Sequence, residues 1–198
     1  VALAARIVRR FKDETLRILE EEPERLSEIK GISNRMAMEI AEQIEAKKEM
    51  RKAMIFLQQY GLSMNLCVKI YQTYGENLYT IIKENPYRLA DDIVGVGFRV
   101  ADEIAQKAGI KADSDFRIRS GILYVLLQAT GMGHTFLPQE VLCRQTAELL
   151  KVTAEQIPVH LENLAMERKI IIAQQQDQQQ IYASYYYYLE KNTAVMIQ

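Results

Sequence analysis

With 198 residues, 48% of them hydrophobic, the chain is long enough for one or two small packed domains and reads as globular. Its 25 basic and 26 acidic residues leave a net charge of -1, which excludes a global positive field drawing it to nucleic acid or an anionic membrane, so any such contact must be local. Cys67 and Cys143 lie far apart with no CxxC or histidine at ligand spacing, which excludes a disulfide frame or zinc site and fits reduced thiols in a cytoplasmic protein. The sequence shows no secretory leader and no apolar run long enough to span a bilayer.

The first element is a helix over Val1–Phe11. From Phe11 to Pro23 the sequence FKDETLRILEEEP lays without a gap over YGENLYTIIKENP at Tyr74–Pro86, and the match continues through Arg25-Leu26 and Arg88-Leu89. After one inserted residue, Ile29-Lys30-Gly31-Ile32-Ser33 answers Ile93-Val94-Gly95-Val96-Gly97. Residues 1–110 therefore read as a duplication, each copy holding a helix, a polar turn closed by proline, and a hairpin that opens a second helix. Gly61-Leu62-Ser63 aligns with the three positions before Val1. The first helix is thus expected to be the second helix of a hairpin whose glycine turn lies upstream.

Three complete turns remain, at Gly31-Ile32-Ser33, Gly61-Leu62-Ser63 and Gly95-Val96-Gly97. Glycine suits them because a tight turn needs positive φ and lets a ligand approach the backbone without meeting a Cβ. Ser33 and Ser63 stand where a helix N-cap belongs. The amides that follow have no intrahelical partner and sit at the positive end of the helix dipole, so an anion fits there. Between the first two turns, Asn34–Tyr60 is free of Gly and Pro and reads as one or two helices. Its charge run at Glu45–Lys52 reads as a solvated face, and its methionines as gap-filling core.

After Phe98–Ala108, a helix by its apolar spacing, Lys111–Asp115 is a polar boundary. A helix is expected over Phe116 to Thr130, ended by Gly131-Met132-Gly133. A second should run over Gln139–Leu150 with Pro138 at its first position. A third should run over Ala154–Arg168, opened by a capping box of Thr153 and Gln156. Strands are expected at Lys169–Ala173 and Ile181–Tyr187, joined by a polar turn at Gln174–Gln180 around Asp177, with helix again from Tyr188 to Gln198 leading toward another domain. The expected fold is mainly α: the tandem hairpin repeats over 1–110, then a winged-helix-like domain over 111–187 with a short β-hairpin. Its third helix carries Glu155, Glu162 and Glu167 against Arg168 and Lys169, a balance that suits protein or interdomain packing better than a DNA groove. His134 is expected to fix the turn before Pro138, and His160 to lie at the surface or half-buried. Tyr185–Tyr188 read as packing residues ahead of base-stacking ones.

Several segments together carry a family resemblance: Asn85-Pro86-Tyr87-Arg88-Leu89, Ile93-Val94-Gly95-Val96-Gly97-Phe98, Ala101-Asp102, Ile104-Ala105, Arg117-Ile118, Gly121-Ile122 and Gly133-His134-Thr135-Phe136-Leu137-Pro138. In this order they resemble the amino-terminal region of RecD/TraA-type ATP-dependent DNA helicases, like the exodeoxyribonuclease V alpha subunit. The resemblance implies helix-hairpin-helix repeats standing before two helicase core domains that hydrolyse ATP with Mg and move 5′ to 3′ on single-stranded DNA. It further implies a part in DNA repair and recombination. This sequence has no G-x-x-x-x-G-K-[ST] phosphate loop, so no catalytic residue, metal or cofactor is expected in it, and it should neither hydrolyse ATP nor unwind a duplex. The expected partners are DNA, single-stranded or at a junction, the helicase core domains, and repair proteins, with no membrane. The alternative is a regulatory docking module of the same helicase.

Helix-hairpin-helix motifs hold DNA through turn and helix-start amides on phosphate oxygens, aided by basic or amide side chains that read no base. The candidate contacts are Gly31, Ser33 and Arg35; Gly61, Ser63, Asn65 and Lys69; Gly95, Val96, Gly97, Arg99 and Lys107; and Arg6, Arg9 and Arg10 for the first helix. Acidic residues from Glu20 to Glu28 make the Gly31 hairpin the one expected to serve packing. A glycosylase reading, with Asp113 or Asp115 as the catalytic acid, is set aside because the hairpin lacks a catalytic lysine and the helicase resemblance runs through both residues.

Overall fold

The computed structural model describes residues 2–175 and 178–197. Asp177, the expected tip of the turn between the strands, lies outside the described residues, as do Val1 and Gln198. The chain forms two compact units, Val1–Glu76 and Asn77–Gln198. This division falls at a different place from the sequence boundary after Ile110, so the third hairpin shares a unit with the helices that follow it.

The first unit opens with α1 (Ala2–Phe11), a single 3-10 turn at Lys12–Glu14, α2 (Thr15–Glu21) and a 3-10 segment at Pro23–Glu28. Then come α3 (Asn34–Gln58) and α4 (Met64–Tyr74). Asn34–Tyr60 is thus one long helix, which follows from 25 residues rich in Ala, Glu, Lys and Met. Arg35–Glu39 and Lys52–Glu49 pairs along its surface, at 3.0 and 2.6 Å, support it. The core gathers Ile7 and Phe11 of α1, Ile18 of α2, Leu26, Ile29, Ile32 and Ala37. Two of these, Ile29 and Ile32, bracket the Gly31 turn, so the hydrophobic effect itself pins that turn in place.

The second unit begins by repeating the first. A 3-10 turn at Gly75–Asn77 leads into α5 (Leu78–Glu84), α6 (Arg88–Asp92) and α7 (Phe98–Lys107). The correspondence reaches individual dihedrals. Lys12 and Gly75, equivalent in the sequence overlay, have φ of 45° and 53°. Glu22 and Asn85, which end α2 and α5, have φ of -135° and -150°. Glu22 and Asn85 also donate their amides to Ile18 O and Ile81 O at 3.1 and 3.0 Å. The duplication read from residue identities is therefore a duplication of backbone conformation.

Beyond α7 stand α8 (Asp115–Gly131), β1 (Phe136–Pro138), α9 (Gln139–Leu150), α10 (Pro158–Met166), β2 (Ile170–Gln175), β3 (Gln178–Ala183) and α11 (Ser184–Ile197). The three strands are antiparallel in the order β1-β3-β2, with Ile181 opposite both Leu137 and Ile172. In order and pairing this is winged-helix-like. Its core is built from Ile118, Ile122 and Leu126 of α8, Leu142 and Leu150 of α9, Leu161 and Leu164 of α10, and Ile170 and Ile181. Gly121 lets α8 approach α9 closely, since a Cβ there would lie 2.8 Å from Leu150 Cδ1.

Several expectations need correction here. A short first strand, β1, precedes α9, and Pro138 belongs to that strand and to the N-cap position of α9. Thr153 makes no side-chain cap; residues 154–156 form a 3-10 turn and α10 starts at Pro158, whose fixed φ suits a first helical position. The third helix therefore sheds Glu155, Glu167, Arg168 and Lys169, and its exposed surface includes Val159 and Met166. The glutamines at 174–175 and 178–180 pair as strand residues. Tyr185–Tyr188 are helical, because α11 begins at Ser184, whose amide and hydroxyl bond Lys169 O and Arg168 O at 3.1 and 2.7 Å. His160 is buried. His134 closes its turn with the backbone amide, 3.0 Å from Ala129 O.

Candidate nucleic-acid interface

All three glycine turns are built to one plan. Gly31, Gly61 and Gly95 have φ of 99°, 81° and 101°, values at which a Cβ would be strained. The next residue is a buried apolar anchor, Ile32, Leu62 or Val96. The residue after that is extended, with ψ of 161° at Ser33, 152° at Ser63 and 174° at Gly97, and a helix starts immediately. In the first and third turns Ile32 N–H and Val96 N–H bond Ile29 O and Ile93 O at 3.0 and 3.1 Å, closing matched β-turns with glycine third. In the second, Gly61 N–H bonds Gln58 O at 2.9 Å, and buried Cys67 places its thiol 3.8 Å from Leu62 O. Burial raises the pKa of this thiol and of Cys143, so both remain protonated packing residues at neutral pH.

The turns differ in what the following amides meet. At Gly31 the Ser33 hydroxyl accepts from Met36 N–H at 3.2 Å, occupying one donor of the α3 start. Arg6 reaches over the same turn, donating to Lys30 O at 3.2 Å. Arg10 is joined to Glu28 at 3.0 Å, and Arg35 to Glu39 at 3.0 Å. Arg9 is exposed. At Gly61 and Gly95 the helix starts carry no side-chain cap: Ser63 stands at the N-cap position without using its hydroxyl, and Gly97 has none to use. The amides at the first turns of α4 and α7 are therefore left to an outside acceptor.

Charge follows the same division. No carboxylate occurs in the sequence from Lys52 to Gly75, so the second turn has no acidic neighbour along the chain. Before the third turn, Asp91 is 3.4 Å from Lys169 Nζ, and Asp92 is 3.7 Å from Arg88. Both acids thus have cations beside them. Asn65 and Arg99 are the second residues of α4 and α7 and are exposed, so the structure brings each to its turn. Lys69 stands on the next turn of α4. Lys107, at the far end of α7, is displaced from its turn by roughly 14 Å of helix rise.

A second arrangement was not singled out from sequence. The Asp102 carboxylate on α7 accepts from Arg117 Nε at 2.7 Å and Nη2 at 3.1 Å, and from the Tyr87 hydroxyl at 2.7 Å. Gln106 adds a bond at 3.1 Å. Arg117 Nη1 also donates to Ala112 O and Leu150 O, both at 2.8 Å. Burial alone would raise the pKa of Asp102, but its bonds to Arg117 and Tyr87 outweigh this and hold it below the ordinary value. Tyr87 is driven upward, first by burial and then by its bond to the carboxylate. Tyr87 immediately precedes α6, so the network clamps both helices of the third hairpin to α8 and α9. The Tyr87, Phe98 and Tyr124 rings extend the clamp as a stack with centroids 6.0 and 5.1 Å apart. A usable signal existed: Arg117 shares an apolar helical stripe with Gly121 and Val125, where a charge needs a partner.

Comparison with known proteins accords with this geometry. Residues 46–136 match the model of the ATP-dependent RecD2 DNA helicase HHH domain, a span that holds the Gly61 and Gly95 turns and leaves out Gly31. The chain is 25% identical over 161 residues to the ATP-dependent RecD2 DNA helicase of Deinococcus radiodurans, an alignment that covers 81% of this chain and 22% of that protein. It thus spans about a fifth of the relative's length. Residues 46–136 thus resemble the helix-hairpin-helix domain of RecD2 helicases, and most of the chain is similar to one part of such a helicase.

Proposed function

We propose that this chain grips DNA by its sugar-phosphate backbone, without reading sequence, through the Gly61 and Gly95 hairpins. It would do so as the accessory part of a RecD-like 5′ to 3′ helicase working in repair and recombination. One observation carries the reading: two uncapped helix starts, each set up by a positive-φ glycine and a buried anchor, with Asn65 or Arg99 beside it. Donors so arranged match the oxygens of a phosphate. On this reading ATP and Mg belong to helicase core domains, and the Gly31 hairpin, whose donors are partly occupied, serves packing.

The test is a fluorescence-anisotropy titration with single-stranded and tailed-duplex DNA over a salt series. The expected result is weak binding, with Kd about 10⁻⁴ to 10⁻⁶ M and a steep loss as salt rises. Changing Gly95, Gly97 and Arg99 together should abolish most of it. Absence of binding to every DNA form at low salt would refute the reading.

One observation favours a second reading, a docking module of the same helicase: α10 exposes Val159 and Met166 at 56% and 76%. If the helicase core binds this chain, and Val159→Ser with Met166→Ser abolishes that binding while DNA binding is unchanged, docking is the better account.

A further inference from the structure

Within the second unit a cleft of about 290 Å³ opens between the segment that leads into the third hairpin and helices α8 and α10. Its apolar wall is made by Leu123 and Leu164, and Phe116, 46% exposed, stands among its lining residues. Arg88, Arg119 and Lys169 bring three cations to it. Each has a carboxylate beside it: Arg88 has Asp92 at 3.7 Å, Arg119 Nη1 has Glu167 at 2.6 Å, and Lys169 Nζ has Asp91 at 3.4 Å. Two lining residues also hold buried polar atoms without a hydrogen-bond partner, Asn85 Oδ1 and Arg119 Nε. Leaving such atoms unpaired is costly in a packed interior. An aromatic face, an apolar wall, three cations held only by surface ion pairs, and an unpaired acceptor and donor form the lining expected for a small polar aromatic guest.

From this lining we propose that the cleft holds one nucleotide unit of single-stranded DNA, its base against Phe116 and its phosphate drawn to Arg119 and Lys169. The proposal rests on the DNA-binding reading above and extends it. Arg88 and Asp91 lie on α6, directly before the Gly95 turn, so a strand held at that turn has its next nucleotides beside the cleft. Stacking on an aromatic ring suits any base, in keeping with binding that ignores sequence. The Glu167 and Asp91 carboxylates act as tethers that a phosphate must displace.

The experiment uses the 198-residue chain and a short oligothymidylate carrying one photoreactive 5-iododeoxyuridine. Crosslinking should reach Phe116. Glu167→Gln, which removes a tether and leaves Arg119 in place, should tighten binding by about fivefold, while Lys169→Gln and Arg119→Gln should each weaken it and lower the salt slope by about 1. Thermal melts read beside the titrations confirm that each variant is folded, and Glu167→Gln decides the matter if Arg119→Gln is unstable. If the wild type binds and the Gly95, Gly97, Arg99 variant does not, but Glu167→Gln and Lys169→Gln match the wild type, the cleft proposal falls and the hairpin reading stands. If the wild type binds no DNA, both fall. Binding of free thymidine monophosphate in the cleft, with no crosslink from the oligonucleotide, would also overturn the proposal.

Discussion

Replacing Asp102 by Asn keeps the side chain's shape while removing the charge that Arg117 was buried to meet. Arg117 is only 8% exposed, and the substitution puts an NH₂ group where one of its two bonds to the carboxylate ended. Removing one partner of a buried pair costs about 3–5 kcal/mol because the other charge is left uncompensated. Here the guanidinium keeps its bonds to Ala112 O and Leu150 O, which puts the expected loss at the lower end, about 3 kcal/mol. A unit of roughly 120 residues has an unfolding entropy near 0.25 kcal/mol/K, so Tm should fall by about 12 °C. Circular-dichroism melts at pH 7 measure it. The double substitution Asp102→Leu with Arg117→Met should recover much of the loss, since it buries no charge at all. The acid limb gives an independent check. Because the folded carboxyl lies below its ordinary value, its stabilisation is whole above about pH 3.9 and is lost as pH falls through the folded pKa. Asp102→Asn should flatten that limb. A variant melting within about 3 °C of the wild type at pH 7, with the same acid limb, would refute the view that this pair holds the third hairpin in place.

Lys12 sits at φ 45° where its counterpart is glycine, so Lys12→Gly should stabilise the first unit by about 1 kcal/mol, less what glycine adds to unfolded-state entropy; a lower Tm would contradict the strain argument. Ser33→Ala should cost about 1 kcal/mol through loss of its cap, whereas Ser63→Ala should cost almost nothing because the Ser63 hydroxyl caps nothing; equal effects in urea titrations would refute the distinction. The pKa of His160 is lowered mainly by burial and further by Arg119, with Asp115 opposing. Stability should therefore hold above the unfolded value of about 6.5 and decline as pH falls below it. His160→Phe should remove that part of the pH dependence, as melts at neutral and mildly acidic pH would show; an unchanged slope would contradict the assignment.

What the sequence disclosed was chemistry that acts over a few residues. Ser33 before a helix, glycine at three turns and the copy of Phe11–Pro23 at Tyr74–Pro86 all leave their mark in adjacent letters, and dihedrals at Lys12 and Gly75 agree because the local strings do. Partnerships across the fold were hidden. Asp102 meets Arg117 fifteen residues on, and Arg119 meets Glu167 across the winged region; no spacing rule announces either. Thr153 with Gln156 looked like a capping box, but Pro158 offered a better helix start. The tyrosines after Ser184 have high strand propensity, yet a hydroxyl bonded to Arg168 O turns the chain into helix there. β1 was too short to read, three residues of which one is proline.

The crest of each matched turn shows how little its outward letter matters. Lys30 and Val94 occupy the same place beside Gly31 and Gly95, one a cation and the other a hydrocarbon 89% open to water. The bend tolerates both because its shape is fixed from beneath, by Ile32 or Val96, and from within, by the glycine dihedral. The crest is therefore a free variable: its polarity can be retuned without unsettling the scaffold, and one scaffold can carry surfaces of quite different affinity.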